Sequence, residues 1–143
     1  SMAFRRELAR TLRLFDDDID CGTAACSGGD TYALYLVLRA GWEIEYTPDA
    51  LGWHEHRRDH DALRSTLAGY STGAYTWLLK ALIEHHDLGA AREMALWFRH
   101  HHLRRLRAAI AGRADAVDRD IAVAELRGVL AAPRAYLTTR RAR

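Results

Sequence analysis

In Ser27-Gly28-Gly29-Asp30-Thr31-Tyr32-Ala33-Leu34-Tyr35-Leu36-Val37-Leu38-Arg39-Ala40-Gly41-Trp42-Glu43-Ile44-Glu45-Tyr46, three backbone signals follow one another. The glycine pair marks a loop, and Asp30 has the short acidic side chain that suits a helix N-cap. From Thr31 to Arg39 apolar side chains cover nearly every side, which predicts a helix flanked by other elements, stopped by Ala40-Gly41. Trp42 to Tyr46 then alternates large apolar with acidic residues, the pattern of a half-buried strand. Thr47-Pro48-Asp49 reads as a turn, and Ala50 to Trp53 as a second short strand.

Upstream, Phe4, Leu8, Leu12 and Phe15 recur at helical spacing, so a short amphipathic helix is expected over 4–15. The acidic run Asp16-Asp17-Asp18-Ile19-Asp20 breaks it, and Gly22, Gly28 and Gly29 extend the loop to Asp30. Beyond His60 the apolar period becomes helical throughout. Helices are expected at about Asp61 to Glu84, Gly89 to Ala111 and Ala116 to Leu130, with Gly69 and Gly73 weakening the first, Gly112 ending the second and Pro133 stopping the third. The arginine-rich end is expected to fray. The expected fold is therefore an α/β fragment, predominantly α-helical, with one short strand pair and a helical tail. Its parts would be residues 1–60 and 61–143. Two strands alone are marginal, which favours an excerpt of a larger α/β domain.

The 143 residues suffice for one core, and 49% hydrophobic with 28% charged content excludes a disordered chain. Net charge is only +2, but its sign is segregated: residues through Ala91 hold 9 basic and 14 acidic side chains, those from Arg92 onward 12 and 5. The basic half suits an anionic membrane surface or a lipid-linked phosphate. Nucleic acid is not expected as a partner, because no aromatic platform is interleaved with the arginines. Cys21 and Cys26 are too few for a disulfide framework, so a cytoplasmic setting is expected. No apolar run approaches the roughly 20 residues of a membrane span.

Asp30, at a glycine turn and a helix start, is either a cap or a general base set in a cleft. His54 and His56 share one face of a continuing strand, and with His60 a zinc-dependent hydrolase is conceivable. His100-His101-His102 is expected to be a surface run whose members face different directions and share no ion, and His85-His86 to complement a helix C-terminus. Trp77, Leu78, Leu82 and Ile83, then Met94, Trp97 and Phe98, read as core stripes or an interfacial helix face rather than as a site.

Taken in order, Met2-Ala3-Phe4-Arg5-Arg6, Leu14-Phe15-Asp16, Gly28-Gly29-Asp30, Arg39-Ala40-Gly41-Trp42, Tyr46-Thr47-Pro48 and Trp53-His54-Glu55-His56-Arg57-Arg58 resemble the closing half of the bacterial family 2 glycosyltransferases of the Rossmann-like GT-A fold. The resemblance implies inverting sugar transfer from a nucleotide-sugar donor to a glycan or lipid-linked acceptor, at a cytoplasmic site that is peripheral at the inner membrane face. It implies Asp30 as the base, Gly28, Gly29, Trp53, His56 and Arg57 as substrate contacts, and His54 as a ligand of a divalent ion, Mn or Mg. Gly29 stands where the family has the first acid of a pair, and the nucleotide-gripping segment would lie upstream of Met2. A fragment of this kind is expected to be inactive alone.

Overall fold

The computed structural model describes residues 2–53, 55 and 59–141, side chains through Arg140. Its elements are α1 (Arg6–Thr11), α2 (Gly29–Arg39), α3 (His60–Glu84), α4 (Leu88–Trp97), a π-helical turn (Phe98–Leu103), α5 (Arg104–Ile110) and α6 (Arg119–Arg141). Among the described residues the class is all-helical, which corrects the expected strand pair and the Rossmann-like GT-A part. Residues 42–53 are irregular and exposed. Alternation in Trp42, Ile44 and Tyr46 gives a strand its pattern but not its partner, and without a ladder these side chains stay in solvent. The turn itself is present, with Ala50 N donating to Thr47 O at 3.4 Å.

Helices α3 and α6 form the axis of the fold. They run parallel: His60 meets Asp118 at one end, Gly128 abuts Ala68 midway, and Tyr136 Oη donates to Glu84 Oε1 at the other end. Gly128 is required there, because a Cβ would be driven into the Ala68 carbonyl oxygen. Pro133 does not stop α6, contrary to expectation. Its ring faces solvent, while Ala132, Ala135, Tyr136 and Thr139 are buried on either side of it, and that burial offsets the roughly 3 kcal/mol cost of an interior proline.

α3 starts where Asp59 accepts from Ala62 N at 2.7 Å, and α4 where Asp87 accepts from Gly89 N at 2.8 Å. From the far end of α3, α4 turns back, packing Ala90 beside Leu78 and Ala81, then Trp97 on Tyr75. α1 and α2 form a smaller layer in which Leu8 and Leu14 pack on Ala33 and Val37. α1 is shorter than its apolar stripe suggested, ending before Arg13, whose φ of 45° leaves the helical region.

A buried ion cluster joins this layer to α3. Lys80, 3% exposed, donates to Asp16 Oδ2, lies 3.5 Å from Glu84 Oε2, and sits 5.5 Å from the Tyr32 ring centre. No described helix is long and apolar enough to cross a membrane.

Candidate functional site

The loop 21–28 reaches α3 through two small residues one helical turn apart. Ser27 Oγ donates to Gly69 O at 3.1 Å, and the Ser27 backbone lies directly against Gly73, with no room for a Cβ between them. Gly28 caps α2 in the left-handed region at φ 100°, with its α-carbon beside Gly73 O and the Trp77 ring. Gly29 is buried against the opposite wall, where a Cβ would fall 2.5 Å from Ile19 O. Any larger side chain there would displace the loop, so backbone packing alone calls for glycine at this position.

Asp30 is therefore not the N-cap. It sits in the first turn of α2, exposed, accepting from its neighbour Thr31 N at 2.7 Å and from no N-terminal amide further into the helix. A carboxylate in the first turn is favoured by the helix dipole without being consumed as a cap. It lines a cavity of about 650 Å³ with Asp20, Gly28, Tyr70, Trp77 and Trp97. Trp77 and Trp97 were legible only as core or interfacial stripes, and Tyr70 was not singled out. The paired small residues Gly69 and Gly73 were the signal that another segment approaches this face of α3.

Of the other predicted site residues, Gly28 shares the cavity with Asp30, whereas Gly29 is packed away from it. Trp53 is fully exposed on the irregular segment and is not among the residues lining that cavity. His54, His56 and Arg57 lie outside the described residues. His60, which completed the imagined zinc triad, pairs instead with Asp118 at 3.1 Å and Asp120 at 3.8 Å. Asp20 and Asp30 belong to no group of three ligand-type side chains within mutual reach among the described residues. On the described residues alone, the cleft does not fit a divalent ion.

His102 is not the surface imidazole expected, whereas His85 ends α3 as expected. His85 caps α3 but bonds Tyr32 Oη at 2.9 Å, and burial, with Arg39 nearby, holds its pKa below the usual range. His102 is 2% exposed within a box of Tyr75, Trp97 and Phe98 rings, and burial lowers its pKa to about 4. The histidine run also does not splay as on an α-helix. Its π-helical turn brings the His101 and His102 ring centres to 4.9 Å, and both reach Glu125 on α6.

No family model matches the chain, and neither a curated protein nor a solved structure matches it.

Proposed function

We propose that the chain belongs to a glycosyltransferase that moves a sugar from a nucleotide-sugar donor to a hydroxyl of a glycan or lipid-linked acceptor, with inversion and with Asp30 as the general base. The observation that supports it is the cleft in which an exposed carboxylate stands beside two indoles and a phenol. Indole and phenol rings offer flat apolar faces to the C–H faces of a pyranose, and a carboxylate accepts the hydroxyl hydrogen. In the reaction, Asp30 takes the acceptor O–H proton, the oxygen bonds to the anomeric carbon, and the bond from that carbon to the diphosphate oxygen breaks. The nucleoside diphosphate departs with the electron pair.

Two measurements test this. On the chain itself, saturation-transfer NMR with methyl glycosides of glucose, mannose and galactose is expected to show sugar protons contacting protein, with the signal lost in Trp77→Ala. On the full-length polypeptide, Asp30→Asn is expected to lower kcat by about 10²–10⁴ at similar donor KM. Unchanged kcat in that variant would refute Asp30 as base.

A second reading, a membrane-surface module without catalysis, is favoured by one feature. Arg99, Arg104, Arg107 and Arg113 line a groove of about 790 Å³ on the π-turn and α5. That reading predicts salt-sensitive cosedimentation with phosphatidylglycerol vesicles, retained in Asp30→Asn and lost in Arg104→Glu/Arg107→Glu. No cosedimentation at low salt would eliminate it, together with the peripheral inner-membrane location.

A further inference from the structure

We propose that His101, His102 and Glu125 form a binding site for a divalent transition metal of the zinc type, joining the π-helical turn to α6. One ligand-type atom from each lies within 4.8 Å of the others, and His101 Nε2 is already 3.7 Å from Glu125 Oε1. Bonds of about 2.0–2.2 Å around a tetrahedral ion require ligand atoms about 3.5 Å apart, so the site needs only a small contraction. Two imidazoles and a carboxylate, with a fourth position open, are a zinc donor set, and imidazole content disfavours Mg and Ca.

The independent observation is the state of His102. Both of its ring nitrogens are buried without a hydrogen-bond partner. Buried polar groups normally have partners, and each orphan carries an uncompensated desolvation penalty. A buried imidazole whose ring nitrogens have no partner has a lone pair to offer, which is what a metal takes. The π-turn supplies the geometry, because its wider winding reduces the angular step between successive residues and lets neighbours in sequence converge. A side chain on α6, more than twenty positions downstream, completes the set.

Arg105 is the competitor. Its Nε lies 3.2 Å from Glu125 Oε2 without hydrogen-bond geometry, and its Nη1 lies 3.5 Å from His101 Nε2. Binding an ion requires this guanidinium to withdraw toward the groove that Arg105 also lines. The half-exposed His101 edge is the entry path. The exposed His60, Asp118 and Asp120 group serves as an internal control, since His60 already has both nitrogens near carboxylates.

The test titrates the metal-free chain with Zn²⁺ against a chromophoric chelator, and separately with Co²⁺ while following visible absorption and tryptophan emission. One equivalent is expected to bind, with tetrahedral cobalt bands and quenching of Trp97, whose ring centre is 5.9 Å from that of His102. Glu125→Gln and His101→Ala are expected to weaken zinc roughly tenfold or more. Arg105→Gln is expected to tighten it, and Asp118→Asn to leave it unchanged. His101 is partly exposed, so His101→Ala keeps the test decisive if a buried variant fails to fold. Zinc affinity unchanged in His101→Ala, or abolished in Asp118→Asn, overturns the proposal.

Discussion

Replacing Gly73 by alanine sets a small gain against a larger loss. Helix propensity alone makes Gly→Ala stabilising by about 0.5–1 kcal/mol inside α3. Against it, the new Cβ would lie 2.6 Å from the Ser27 carbonyl carbon and closer still to that residue's carbonyl oxygen and Oγ. Ordinary carbon contacts are about 3.5 Å, so the loop must retreat by about 1 Å. Overpacking of this kind costs about 1–3 kcal/mol, and loss of the Ser27 to Gly69 hydrogen bond adds about 1 kcal/mol. The balance is a net destabilisation of about 1–3 kcal/mol, or a Tm lower by roughly 3–12 °C for a chain of this size. Gly69→Ala, one turn earlier, is the matched control. Its Cβ meets only the Cys26 Cβ at 3.3 Å, so contact and propensity nearly cancel. Urea melts followed by circular dichroism compare the two, with tryptophan emission reporting on Trp77, whose ring abuts Gly28. If Gly73→Ala is as stable as Gly69→Ala, the loop does not rest on α3, and the cleft containing Asp30 loses its wall.

Lys80→Met is expected to destabilise the fold by about 3–5 kcal/mol, because it removes the ammonium buried between Asp16 and Glu84; adding Asp16→Asn recovers part of the loss in a double-mutant cycle. In metal-free protein, stability is expected to fall as pH drops from about 6.5 to 4. His102 titrates near 4 in the folded chain and near 6.5 when unfolded, so across that window the unfolded state binds more protons; the loss is up to about 3 kcal/mol, and His102→Phe flattens the profile in denaturant melts at pH 7.5 and 4.5. Gly128→Ala is expected to separate α3 from α6 and lower Tm by several degrees, seen by calorimetry, since its Cβ would meet backbone that cannot rotate away.

The helices were legible because their signals are local. The Asp30 helix and the long helix from His60 follow from unbroken apolar faces, and both are observed within a residue or two of their expected bounds. The strand pair was expected wrongly because alternation specifies a strand only when an edge is available to pair with, which no local pattern encodes. Pro133 misled for a related reason: what carries α6 past it is the burial of Ala135 and Tyr136, a tertiary term. At the cleft, Asp30 could be singled out by its turn, but its aromatic walls come from α3 and α4, whose approach to the loop is set by Gly69 and Gly73. The histidine run was misjudged because a π-helical turn leaves no simple mark in sequence.

That turn has a mechanical corollary. Each residue of an α-helix advances the chain by about 100°. Excising a single residue from Phe98–Leu103 would restore ordinary winding, and five residues at about 100° sweep nearly the same angle as six more widely wound ones, so α5 would keep its facing. Arg105 would stay beside Glu125, and the arginine-lined groove would stay where it is. The extra residue thus acts as a local blister in the helix, whose removal would be felt by the two neighbouring imidazoles and by little else.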